Sequence, residues 1–421
     1  MGPRNAAPAS RSVRAHTRGV GLVETMVGIL IGILVVLAVY SLLSTSEGYR
    51  RSATGASDAQ ITGLLAQFMI GRDVSNAGNG VLLAGDDATN KLANCTKAED
   101  GTLLSPLDIG FSKPIPILVT DGGGAEISDS FIEYNSGAPR VNWPVNFVGA
   151  VGSPAGTDFV VQSPNGFTSP LPKNTPYRVV AIANDGTGRC GSFQVTDASA
   201  PPDLQGQVTL KTNPASTIDY LVANGAQLVN LGPVGQATRI RYESWNAAAS
   251  ESCGQSDLAR PCQLFTTDLM TAGAVRNPVA ANIVLMKVQY GVDTTPTPDG
   301  KIDCWTAADN TNACGDGKDY RPAGVAAFSV ADLNRIMAVR VALVVRSDEP
   351  SKPDSNPAND PMVAANRPPV VLFNCSANDA TCQGRLVLSA GSGGQIIADH
   401  WSYRTYETVI ALRNPIYVGT L

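Results

Sequence analysis

The chain has 421 residues, 43% hydrophobic and 16% charged, with 31 Lys and Arg against 36 Asp and Glu. The hydrophobic share suffices for a sizeable core and excludes a disordered chain, while 41 Gly and 28 Pro argue against an all-helical one. A net charge of −5 offers no basic face for nucleic acid, and two histidines leave little scope for His-based catalysis or His-rich metal sites.

The amino terminus departs from these averages. Residues 1–19 hold Arg4, Arg11, Arg14 and Arg18 and no acid, and an apolar run from Leu22 to Leu43 follows, interrupted in charge only by Glu24. Thr25 to Ser46 carries no charge, enough helix for a hydrocarbon core of about 30 Å. The basic leader predicts a cytoplasmic start with the remainder translocated. A secretory signal would end at a small-residue cleavage site, and none follows Leu43. A carboxylate at the start of a membrane helix is costly and calls for a partner. Gly28 and Gly32 permit close helix approach.

The segment Arg18-Gly19-Val20-Gly21-Leu22-Val23-Glu24 resembles the class III signal of type IV pilins and pseudopilins. The resemblance implies that a prepilin peptidase cuts after Gly19, leaving Val20 as the new, N-methylated terminus, where the family prefers Phe. It also implies that Glu24 docks onto the terminal amine of a neighbouring subunit, neutralising charge in apolar surroundings. The expected divisions are a leader (1–19), a membrane and filament-core helix (20–46), an amphipathic helix (47–78) and a β-rich head (79–421).

From Ser57 to Val74 the spacing is helical, with Ile61, Leu64, Leu65 and Phe68 at i, i+3, i+4 and i+7. This face is expected to pack on the head while Asp58, Arg72 and Asp73 stay solvated; Asn76 to Gly80 supplies the stop. Short β runs follow. Candidate strands are 131–134, 159–162, 177–183, 192–196, 207–212, 238–243, 283–290, 337–345, 369–373 and 403–412. Alternation in Arg239 to Tyr242 and in Val339 to Leu343 places polar and apolar side chains on opposite faces. Ser347 to Pro369, rich in proline, reads as an exposed loop. The fold class is therefore α+β, a long amino-terminal helix on one β-rich head, with room for an inserted subdomain.

Gly71 to Gly78, Val288 to Asp293, Ala338 to Leu343 and Tyr406 to Asn414 resemble, in that order, landmarks of the PilW family of minor pilins. The resemblance implies a type IV pilin-like fold and a minor pilin placed in a tip complex that primes pilus assembly. Its implied partners are the prepilin peptidase, other minor pilins, the major pilin and a tip adhesin. It also implies an inner-membrane location, head in the periplasm, before assembly onto the cell surface. Alternatives are a J-like minor pseudopilin of type II secretion and a tip adhesin whose expansions, between about 85 and 280, bind a surface.

Eight cysteines lie downstream of the apolar run, and an even count in a translocated region predicts disulfides. Local closure favours Cys253–Cys262, Cys304–Cys314 and Cys375–Cys382, leaving Cys95 with Cys190. Zinc is disfavoured because there is no C-x-x-C. The stretch from Asp293 through Asp299 and Gly300 to Asp303 reads first as a ligand-free acidic turn; Ca2+ bound by its oxygen ligands is the alternative, although the spacing departs from an EF-hand loop. No other cofactor is indicated. After cleavage His400 is the single histidine, and with no G-x-S-x-G elbow and no P-loop an enzyme is not expected.

Overall fold

The computed structural model describes residues 21–79, 115–124, 127–137, 145–148, 158–163, 175–183, 187, 189–198, 206–212, 226–234, 239–248, 250–253, 262–270, 273, 275–309, 314–350, 363, 370–373, 386–388 and 400–412. The chain divides into two compact units, Met1–Ala53 and Thr54–Leu421.

Helix α1 (Leu22–Asn76) is 55 residues long and contains no proline. Within the first unit its apolar side chains, from Leu22 to Leu43, are exposed on every face. Among the described residues it is the one helix long and apolar enough to cross a membrane.

Within the second unit the same helix buries Gly55, Ala59, Gly63, Ala66, Ile70 and Val74, and Ala77 just past its end continues the series. Steps of four and three make these one stripe. The expected face is corrected: Ile61, Leu64, Leu65 and Phe68 are 63%, 50%, 48% and 68% exposed. The physical reason is proximity. A Cβ on Gly63 would overlap the ring of Tyr406, and one on Gly55 would touch Ser347. Gln67 Nε2 donates to the Glu407 carbonyl at 3.0 Å, so the helix lies directly on the last strand, where only small side chains fit. Gly63→Leu should therefore cost about 1–3 kcal/mol through overpacking. Leu64→Ala should change stability by under about 0.5 kcal/mol. Chemical denaturation of both variants in detergent tests this, and a costlier Leu64→Ala would reverse the assignment of faces.

The strands in chain order are β1 (Ile117–Thr120), β2 (Ser130–Tyr134), β3 (Val145–Asn146), β4 (Asp158–Val161), β5 (Tyr177–Ile182) and β6 (Cys190–Ala198). Then come β7 (Val208–Thr212), β8 (Gln227–Pro233), β9 (Arg239–Asn246), β10 (Glu251–Ser252), β11 (Gln263–Asp268) and β12 (Arg276–Ala281). Last are β13 (Ile283–Val292), β14 (Cys304–Thr306), the short helices α2 (Pro322–Ala327) and α3 (Val330–Leu333), β15 (Ile336–Arg346), β16 (Val370–Leu372), β17 (Leu386–Leu388) and β18 (Tyr403–Ala411). Each of the ten expected strands overlaps one of these.

Two antiparallel sheets form the main body, ordered β1-β2-β9-β11-β12, with β10 beside β9, and β14-β13-β15-β18. Met286, Val288, Tyr290, Val339, Val341 and Leu343 of the second join Ile70 and Val74 of α1 and Phe131, Tyr242 and Leu264 of the first in one core. The second sheet's other face, with Ala342 and Val344, lies under Cys253, Cys262, Leu372 and Phe373. Cover on both faces explains why β13 and β15 are buried at every position. It also corrects the expected polar face of β15: the Arg340 guanidinium is buried, 4.8 Å from the Trp305 ring and 4.4 Å from Phe373, donating to Gln289.

A third sheet, β3-β8-β5-β6-β7-β4, is built wholly from residues 145–233. Phe147 bridges to Val161, Val148 N–H donates to the Val160 carbonyl at 2.9 Å, and Gln162 N–H to the Asn146 carbonyl at 3.0 Å. These bonds join the two outer strands and close the sheet into a barrel. Alternate residues, among them Phe159, Val161, Val179, Ala181, Phe193, Val195, Val208 and Leu210, fill its interior. The barrel is an insertion: β2 enters it and β9 leaves it, yet these two are paired neighbours with Tyr134 opposite Arg239.

Candidate functional site

Gly19 and Val20 lie outside the described residues, as do Cys95, Cys375 and Cys382. Glu24 is in the first turn of α1, exposed among Leu22, Val23, Met26 and Val27. The Gly21 carbonyl accepts the Thr25 N–H at 3.1 Å, so the helix is already formed around it. A carboxylate there is well placed against the unsatisfied N–H groups of the helix start, and no other acid or base occurs until Glu47. Nothing meets a Cβ built on Gly28 or Gly32, so both leave open notches in the helix surface.

The carboxyl end of α1 is seated by a polar cluster that the sequence reading did not find. Asp73 Oδ1 accepts from Arg72 Nε at 2.6 Å, and Oδ2 accepts from the Tyr242 hydroxyl of β9. Asp73 is thus a structural group rather than the solvated one expected. Tyr242 stacks on Phe131 with centroids 4.9 Å apart. Beside them Glu133 of β2 is fully buried, and Asn135 Nδ2 donates to its two oxygens at 3.2 and 2.9 Å. Burial, then the charge of Asp73, pushes the Glu133 carboxyl up to about 8, against the pull of Asn135 and Arg72. The Gly78 N–H donates to the Tyr134 carbonyl at 2.6 Å, fastening the chain just past the helix to the same strand.

A second buried node joins the two sheets. Lys287 Nζ on β13 donates to Asp129 Oδ1 at 2.5 Å, Asp121 Oδ1 at 3.3 Å, and the carbonyls of Gly124 and Ile127 at 2.9 and 3.1 Å. Asp129 also accepts the N–H groups of Gly122 and Val288. Burial pushes its carboxyl above the ordinary range, and Lys287 draws it back.

The acidic loop after β13 is organised by donors of its own. Buried Asp293 accepts the N–H groups of Thr295, Asp299 and Gly300 and the Thr295 hydroxyl. Burial raises its carboxyl, but these donors prevail and hold it below its ordinary value. Asp299 pairs with Lys301 at 2.6 Å, and Asp303 accepts the Thr294 N–H at 2.8 Å. Among the described residues no three acids, histidines or cysteines gather as a metal site. The carboxylates of Asp293, Asp299 and Asp303 are thus engaged by donors of the turn itself. Gly300, at φ +76°, supplies the left-handed bend.

Cys253–Cys262 and Cys304–Cys314 are disulfides with Cα separations of 6.0 and 5.6 Å. Cys190 is also disulfide-bonded. The first bridge ends against Leu372 and Phe373, and the second ties β14 to the loop ahead of α2.

The sequence model of the PilW family, described as Type IV Pilus-assembly protein W, matches residues 254–414. Over that span the chain is similar to the PilW family. The match covers rather less than half of the sequence, running from β11 through β18 and so including the whole β14-β13-β15-β18 sheet. The barrel and α1 precede it. No curated protein and no solved structure matches the chain. The match supports a protein related to type IV pilus assembly, and the chain's long apolar helix and β-rich, disulfide-bonded head fit that setting.

Proposed function

We propose that this chain is a minor pilin, cut by prepilin peptidase between Gly19 and Val20 and built at low copy into the tip complex that primes pilus assembly. The observation that carries the reading is α1: a helix exposed and apolar on every face of its first half, with a single acid, Glu24, in its first turn. In the inner membrane lipid covers these side chains, with the head in the periplasm. In a filament the helices of other minor pilins and the major pilin replace lipid, and Glu24 meets the Val20 amine of a neighbour. The exposed Ile61, Leu64, Leu65 and Phe68 extend the apolar surface available to those helices.

Glu24→Ala should leave cleavage intact, read as a mature mass beginning at Val20, while incorporation into sheared pili falls below detection. Normal incorporation of the variant would remove the docking role. Mature protein that retains residues 1–19 would remove the pilin reading itself.

A second reading has its own observation. The barrel lies outside the PilW-matched span and has a core separate from the main one. This supports a tip-adhesin module carried on a pilin body, one whose contacts lie on its outer surface because its interior is filled.

A further inference from the structure

We propose that Glu133, with Asp73, Arg72 and Tyr242, forms a proton-sensitive latch that holds the carboxyl end of α1 on the sheet and loosens in mildly alkaline solution. The geometry sets the Asp73 carboxylate between the Arg72 guanidinium and the Tyr242 hydroxyl, with Glu133 on the same face of the sheet as Tyr242. Asp73 already takes the Arg72 Nε and the Tyr242 hydroxyl. Glu133, fully buried, has the Asn135 amide as its donor. A neutral Glu133 fits this arrangement. Its ionisation would place a second negative charge, itself buried, near Asp73, where repulsion acts on the last turn of α1. Arg239 and Arg241 alternate onto the opposite face of β9 from Tyr242, and Tyr134 onto the opposite face of β2 from Glu133. The groups facing Glu133 are thus Asp73 and Arg72 from the helix and Tyr242 from β9.

The sign follows from linkage. A carboxyl raised in the folded state contributes stability that is complete below its unfolded value and declines as pH rises through the folded one, here about 8. The midpoint of thermal unfolding, Tm, of the full chain in detergent should fall by roughly 3–6 °C between about pH 6 and about pH 9. Glu133→Gln, neutral throughout, should remove most of that decline. Asp129, the other buried carboxyl pushed up by its surroundings, is present in both proteins and cancels in the comparison. If Glu133→Gln does not fold, Asp73→Asn carries the test. Asn still accepts from Tyr242 but lacks the charge that raises Glu133, so the alkaline decline should move down by roughly one pH unit. Parallel profiles for wild type and Glu133→Gln, or an unmoved decline in Asp73→Asn, would overturn the latch.

Discussion

Lys287→Met is expected to destabilise the head by about 3–5 kcal/mol at neutral pH, because it leaves Asp129 buried without its cation. The side chain fits, since Met approximates the Lys stem, so the loss reports charge rather than volume. Lys287 is 4% exposed and Asp129 2%, so water cannot replace the missing partner. Four acceptors each lose one donor: two carboxylates, one of them partly exposed Asp121, and two carbonyls of the loop joining β1 to β2. That loop also pairs with β13 through the Asp129 N–H to the Met286 carbonyl at 2.8 Å, so the β1–β2 corner should loosen with it.

The pH dependence of the variant separates this account from simple packing damage. With Lys287 gone, nothing offsets the burial that raises Asp129 except two N–H groups. Its folded value climbs further, and stability is then highest below the ordinary carboxylate range and declines toward neutrality. Denaturant unfolding of Lys287→Met should show a deficit that shrinks as pH falls toward about 4. Lys287→Met combined with Asp129→Asn should recover part of the loss at neutral pH, since the amide oxygen keeps one N–H partner and carries no charge. A deficit equal at both pH values and unrelieved in the double variant would sink the ion-pair explanation.

What the sequence made legible follows from how far each signal travels along the chain. The apolar run, Glu24 and the strands with clear alternation are local patterns, and those strands form where expected. Strand β12 escaped because Pro278 sits inside it; the structure tolerates the ring because β12 is an outer strand of its sheet. Strand β8 was hidden by Asn230 and Gly232, which break an otherwise apolar run. The buried face of α1 was misread for a different reason. Large apolar side chains usually mark the core side of a helix, but here β18 passes so close that Gly63 and Ala59 take that side and Phe68 is left out. Charged residues gave no warning at all. Lys287 and Asp129 are 158 residues apart, and Asp73 and Tyr242 169 apart, so their pairing exists only once the sheets have assembled.

Removing the barrel should leave a folded body that still enters pili but no longer attaches to surfaces. The two cores support this separation. The main one contains no residue between Phe131 and Tyr242, and the barrel's contains none outside 145–228. The junction also suits excision. Since Tyr134 and Arg239 are opposed on adjacent antiparallel strands, Asn135 followed by one Gly can join them as a two-residue hairpin. Cys95, the proposed partner of Cys190, would be changed to Ser so that no lone thiol remains. The excision has a cost at the contact itself. Ser136 N–H, lost with the barrel, donates to the retained Asn79 carbonyl at 2.8 Å, and Val229 and Leu231 are buried yet lie outside the barrel's own core, so some apolar surface is uncovered. A surface defect of that kind lowers solubility without reaching the main core. Pili counted by microscopy should therefore match wild type while attachment is lost. Loss of the pili themselves would instead make the barrel part of the assembly contact, and the adhesin reading would fall while the minor-pilin reading stood.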